Sequence, residues 1–186
     1  MRGVIAGVLV GGEGRRMRGA AKGLLRTASG ETIVQRWAGV FDRIDIERIL
    51  VGVRPEYAAL GWRQIEDDPA ARGPLAGLLA LLAEAGGRRA IVVACDMPHV
   101  GDALVRALLD ADDAPIVAPR SEGRWQPLFA RYDAPRVLAL ARAQASEGRL
   151  ALQSLLDRAG AVELPMDEAQ RSELRDWDSP DDIDEI

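Results

Sequence analysis

Short apolar runs rich in β-branched residues alternate along this chain with longer stretches of helical periodicity, and few architectures accept that alternation. Runs at 4–10, 48–53, 64–66, 90–94, 115–118, 126–132 and 161–164 have the length of buried strands. Between them, 32–41, 74–84, 102–111, 134–143, 150–159 and 180–186 read as helices. The pattern is that of βαβ units around a mainly parallel sheet, an α/β fold. Local punctuation agrees with it. Pro74 opens a helix whose Leu75, Leu78, Leu79 and Leu82 form one stripe, and Gly86-Gly87 ends it. Ser179-Pro180-Asp181-Asp182 reads as an N-cap, a first-turn proline and two acids on the helix dipole. The stretch 120–124 reads as a turn in a small antiparallel hairpin.

With 186 residues and 48% hydrophobic side chains, the chain suits a single domain spanning 1–186. Its 24 basic and 29 acidic residues give a net charge of −5, which argues against a generic nucleic-acid binder. No stretch of 18 apolar residues marks a membrane span. Residues 3–10 behind Arg2 have the apolar character of a signal-peptide core, but they run straight into a Gly/Arg loop without a small-x-small cleavage pattern, so a first strand is expected. One cysteine, Cys95, and one histidine, His99, supply neither an internal disulfide nor a zinc cluster, and a reducing cytoplasm is the expected compartment.

The most informative segment follows the first run directly: Gly11-Gly12-Glu13-Gly14-Arg15-Arg16-Met17-Arg18-Gly19-Ala20-Ala21-Lys22. Ligands of parallel sheets bind beyond the carboxyl ends of the strands, where glycines such as Gly11 and Gly12 let backbone N–H groups approach a phosphate. Arg15, Arg16, Arg18 and Lys22 reverse the chain's acidic sign here, as a polyphosphate site requires. The loop is not a P-loop, because Ala20 and Ala21 follow Gly19 where lysine and a hydroxyl are needed. Nor is it a dinucleotide fingerprint, since Met17 occupies the position reserved for a small residue. Lys22 is the only lysine among 24 basic residues, so a compact ammonium rather than a guanidinium is wanted at that point.

Carboxylates complete the pattern. Asp96 ends the run 90–94 in Cys95-Asp96-Met97-Pro98 and would point into the same crevice, a hard oxygen donor suited to Mg²⁺. Asp176 and Asp178 alternate about Trp177, so an extended backbone would turn both to one side and bring one of them toward the metal. Asp67 follows a short strand, placed either to accept hydrogen bonds from a base or ribose or to form a turn ahead of Pro69. Cys95 reads as a buried filler, His99 as a loop residue.

Together, Leu9-Val10-Gly11-Gly12-x-x-x-Arg16-Met17, Lys22-Gly23-Leu24-Leu25, Gly73-Pro74-Leu75-Ala76-Gly77, Cys95-Asp96-Met97-Pro98 and Asp176-x-Asp178-Ser179-Pro180-Asp181-Asp182 resemble the molybdenum cofactor guanylyltransferase family over nearly the whole chain. The resemblance implies a Rossmann-like three-layer α/β/α fold of the nucleotide-diphospho-sugar transferase type, with a mostly parallel sheet. It implies transfer of GMP from Mg·GTP to the phosphate of molybdopterin or Mo-molybdopterin, with release of pyrophosphate. The partner proteins it implies are those that insert molybdenum or receive the finished cofactor. Carried onto this sequence, Leu9, Val10 and Gly11 would line the guanine and ribose, Arg16 and Lys22 would hold the triphosphate, Asp67 would contact the nucleotide, and Asp96, joined by Asp178, would bind magnesium. The pterin would enter near the later strands, with Arg120, Arg124, Trp125 and Gln126 as candidates. The chain departs from the family at Val10 (usually Ala), Arg18 (usually Gly), and Gly52, Asp176 and Asp178, where asparagine is common. Asparagine is absent from this chain altogether. Related enzymes that use CTP or a sugar phosphate, and a non-catalytic nucleotide-binding accessory protein, are the alternative readings.

Overall fold

The computed structural model describes residues 3–11, 21–27 and 29–177. Among them, strands β1 (Val4–Leu9), β2 (Glu47–Val51), β3 (Gln64–Ile65), β4 (Arg89–Ala94), β5 (Ile116–Ala118), β8 (Phe129–Asp133) and β9 (Val162–Glu163) form one sheet in the order β3-β2-β1-β4-β8-β5-β9. β6 (Arg120–Ser121) and β7 (Arg124–Trp125) make a separate small hairpin. All neighbours in the large sheet pair in parallel except β8, which is antiparallel to both β4 and β5. The helices are α1 (Ile33–Arg43), α2 (Pro74–Ala85), α3 (Asp102–Asp110), α4 (Ala134–Ser146), α5 (Leu152–Ala159) and α6 (Glu168–Glu173).

Two apolar clusters divide between the sheet's faces, which makes the molecule three-layered. On one face α1 and α3 bury Trp37, Phe41, Leu104 and Leu108 against Val8, Leu50 and Val93. On the other, α2, α4 and α5 bury Leu78, Val137 and Leu155 against Ile5, Ile49 and Val92. The central strands are buried on both faces, which is why they read as unbroken apolar runs rather than alternating ones. α2 lies so close to β1 that a Cβ on Gly7 would sit 2.5 Å from a Leu81 methyl carbon. Capping is local: Thr32 and Gln35 exchange side-chain and backbone hydrogen bonds at the start of α1, and Gly86 follows α2 with φ of 59°.

The run 126–132 becomes β8 at Phe129–Asp133 and is antiparallel to both neighbours, in keeping with the turn and antiparallel hairpin expected at 120–124. Two other expectations are revised. The strand expected at 48–53 stops at Val51, and Val53 is 57% exposed. α6 was not expected at all. The helix expected at 180–186 lies outside the described residues. Among the described residues no helix is long and apolar enough to cross a membrane.

Candidate active site

β1, β2 and β4 end level with one another, since Leu9 is in register with both Val51 and Ala94. Just beyond, Val10 donates its N–H to the Val51 carbonyl at 3.0 Å and Cys95 donates to the Leu9 carbonyl at 3.3 Å. The chain leaves each strand in a fixed direction, and the site is assembled on that rim.

Gly11 is exposed and lies against Gly52, and Asp67 lies near both Gly11 and Gly77. Gly52, with φ of 101°, approaches so closely that a Cβ there would sit 2.9 Å from the Gly11 nitrogen. The left-handed backbone and the contact both require glycine. A Cβ on Gly77, in the first turn of α2, would sit 3.3 Å from Oδ1 of Asp67, and one on Gly11 would sit 3.4 Å from Oδ2. Asp67 therefore reaches from the end of β3 across a floor without side chains. Partial burial raises its pKa above the ordinary carboxylate value.

Lys22 opens a 3₁₀ turn over Lys22–Leu24. The turn is anchored from below. Gly23 donates its N–H to the hydroxyl of the fully buried Tyr57 at 3.2 Å, and a Cβ on Gly23 would sit 2.5 Å from a Val34 methyl carbon. Burial raises the pKa of the Tyr57 phenol, so it stays protonated. With this support, Lys22 Nζ donates to Asp96 Oδ2 at 2.9 Å, both side chains being less than a fifth exposed. Cys95, next to Asp96, is buried, and its thiol is pushed up to about 12, first by burial and then by the Asp96 charge, with Lys22 opposing. A neutral, enclosed thiol is not a nucleophile.

The C-terminal stretch reaches the same rim. Trp177 is buried and donates its N–H to the Asp96 carbonyl at 2.9 Å, while Asp176 is exposed beside it. His99 meets the Trp177 ring edge-on at 6.2 Å, and its pKa is lowered by burial and then by Arg36 and Arg175.

The structure thus brings Leu9, Val10, Gly11, Lys22, Asp67 and Asp96 to one rim. Gly12, Arg16 and Asp178 lie outside the described residues. Of the pterin candidates, Trp125 is committed to packing: its indole N–H donates to Asp157 at 2.8 Å and the Arg120 guanidinium stacks 3.7 Å from its ring centroid. Arg124 is exposed on the same hairpin. Tyr57 and the structural need for Gly52 were missed, for a buried hydroxyl and a tight backbone approach leave no periodic signal.

Among the described residues no cluster of three His, Cys, Asp or Glu could encage a metal ion by itself. The donor set is instead one partly exposed carboxylate at a strand end. That fits magnesium, which commonly takes one or two carboxylates and completes its shell with phosphate oxygens and water.

Comparison with known proteins identifies the family. The MobA-like NTP transferase domain matches residues 6–162. A molybdenum cofactor guanylyltransferase from Pseudomonas putida is 33% identical over 181 residues, covering 94% of this chain and 92% of that one. A probable molybdenum cofactor guanylyltransferase from Pelotomaculum thermopropionicum is 39% identical over 127 residues, 67% of this chain, and the match spans only 61% of that relative. Among solved structures, the molybdopterin-guanine dinucleotide biosynthesis protein A from Archaeoglobus fulgidus shares the fold with a TM-score of 0.76 at 22% identity, over 96% of this chain and 94% of that one. A 2-C-methyl-D-erythritol 4-phosphate cytidylyltransferase from Thermus thermophilus shares it with a TM-score of 0.66 at 17% identity, over 98% and 96%. The chain is therefore a nucleotidyltransferase belonging to the MobA-like NTP transferase family, which includes the molybdenum cofactor guanylyltransferases.

Proposed function

We propose that this nucleotidyltransferase transfers GMP from Mg·GTP to the terminal phosphate of molybdopterin, releasing pyrophosphate and forming the guanine dinucleotide cofactor. The observation that carries the reading is the Lys22–Asp96 ion pair just past the end of β4, the strand paired with the one that leads into the exposed Gly11. The curated relatives named for this activity support it.

In this reading the nucleotide lies across Gly11. Asp67 accepts hydrogen bonds from the base or ribose, and the triphosphate meets Lys22 and Arg16. The ammonium has three N–H donors, so Lys22 can hold Asp96 and a phosphate oxygen together. A unit charge about 4 Å from a phosphate oxygen contributes on the order of 4 kcal/mol at an effective dielectric of 20, before desolvation. Asp96, aided by Asp178, would hold magnesium, which when bound neutralises the triphosphate and the departing pyrophosphate. The acceptor phosphate is already ionised at neutral pH. One of its oxygens bonds to the α-phosphorus as the bond to the bridging oxygen breaks, and the electron pair leaves with pyrophosphate. No protein nucleophile or general base is required, and the chain's task is alignment and charge neutralisation.

The test supplies the purified protein with Mg²⁺, molybdopterin and each nucleoside triphosphate in turn, and measures pyrophosphate together with the dinucleotide product. GTP should be used in preference to CTP, ATP and UTP. Turnover with CTP alone, turnover on a sugar phosphate but not on molybdopterin, or GTP binding without pyrophosphate release would each overturn the proposal.

A further inference from the structure

The loop that carries Asp96 is held from outside the sheet by the last described segment of the chain. α6 buries none of its own residues, yet the Leu174 and Trp177 that follow it are buried in the cluster beneath α1 and α3. The Trp177 N–H donates to the Asp96 carbonyl at 2.9 Å. Five residues further along the loop, the Gly101 N–H donates to Oε2 of Glu173, also at 2.9 Å. Gly101 is the N-cap residue of α3 and the N3 residue is Leu104, which has no acceptor, so a carboxylate from another element supplies the bond to the N-cap N–H that a glutamate at N3 makes in a capping box. Between the two contacts, the His99 ring sits edge-on to Trp177. The peptide leading into Asp96 is held in turn by β1, through Cys95 N–H to Leu9. The Asp96 main chain is thereby fixed on both sides, by the sheet before it and by Trp177 after it.

We propose that residues 168–177 act as a brace for Asp96, with Glu173 and Trp177 as positioning residues that hold its carboxylate where it meets Lys22 and the metal. The inference rests on the reading of Asp96 as the metal carboxylate. In this reading neither positioning residue is part of the substrate site. Their effect reaches the reaction through the backbone of the loop, so freeing one end should let the carboxylate wander while leaving the sheet intact.

The experiment compares the wild-type chain with Glu173→Ala, Glu173→Gln and Asp96→Ala. Two quantities are read: the Mg²⁺ concentration giving half-maximal pyrophosphate release at saturating GTP and molybdopterin, and amide hydrogen exchange of peptides covering 95–103 in the metal-free protein. Glu173→Ala should raise the half-saturating Mg²⁺ concentration by about tenfold, the factor associated with one hydrogen bond to a charged acceptor. It should also speed exchange at 95–103 while leaving α4, on the opposite face, unchanged. Glu173→Gln keeps an acceptor oxygen and should restore both readouts to near wild type. If Glu173→Ala does not fold, Glu173→Asp, one methylene too short to reach Gly101, is read in the same way. Faster exchange with an unchanged Mg²⁺ requirement would make the contact merely structural and overturn the brace, and so would unchanged exchange. Mg²⁺-dependent activity surviving in Asp96→Ala would instead sink the assignment of the metal carboxylate, a separate failure.

Discussion

Removing the two halves of the Lys22–Asp96 pair, singly and together, tests whether they work as one unit. At 2.9 Å the Coulomb attraction is about 6 kcal/mol at an effective dielectric of 20. Both side chains are under one-fifth exposed, so water screens this attraction without erasing it, and each ion's own desolvation cost cancels around the cycle. We expect a net coupling of about 1–3 kcal/mol, with the Lys22→Ala/Asp96→Ala double variant less destabilised than the sum of the singles. Urea unfolding of the four proteins measures that difference. Turnover should fall by at least about a hundredfold in each single variant. It should fall little further in the double, because both groups serve the same charge-neutralising event. Pyrophosphate release at saturating GTP provides this second cycle. A stability coupling below about 0.3 kcal/mol would show independent sites. Near-normal turnover of either single variant would remove that residue from the active site.

Three further outcomes follow from the surrounding structure. Gly52→Ala puts a side chain at φ 101° and 2.9 Å from the Gly11 nitrogen, so it should cost about 1–2 kcal/mol in unfolding experiments and lower kcat/KM for GTP about tenfold; unchanged kinetics would show that Gly11 does not set the nucleotide position. Arg131 is 1% exposed and donates to the carbonyls of Leu108, Leu109, Ala111 and Asp112 where α3 ends, so Arg131→Met should destabilise by about 3 kcal/mol while the KM for GTP stays near wild type. A loss below about 1 kcal/mol would mean that those carbonyls find other partners. The pKa of His99 is lowered in the folded chain, so the unfolded chain takes up the proton first as pH falls through about 6.5, and stability should be lost from there down to the folded pKa. Urea midpoints should show this extra acid sensitivity in the wild type and not in His99→Gln.

The parts of the fold that can be read from one dimension are those where packing alone sets the residue type. β1 and β4 are buried on both faces, so their apolar runs and the strand-end residues Gly11 and Asp96 are visible without coordinates. Direction is legible only through turns: β8 is as buried as a parallel strand would be, and its reversal follows from the turn at Glu122 and Gly123, both with positive φ, inside the stretch 120–124 that already reads as a hairpin. α6 has no apolar stripe because none of its side chains is buried. Its one readable sign was the capping box of Asp167 and Gln170. Gly52 illustrates the limit most sharply. Set against the family pattern it reads as a missing asparagine, whereas in three dimensions the backbone at that point admits no side chain without pushing Gly11 aside.

A chain that carries 23 guanidinium groups and a single ε-amine has set that amine against Asp96. Reductive methylation or a small acylating reagent therefore meets one lysine side chain in the whole molecule, and that side chain sits at the strand-end rim. The mass of the intact protein becomes an occupancy gauge: the α-amine takes up label in every chain, whatever fills the site shields the lysine amine, and the fraction of chains lacking that second label reports how full it is.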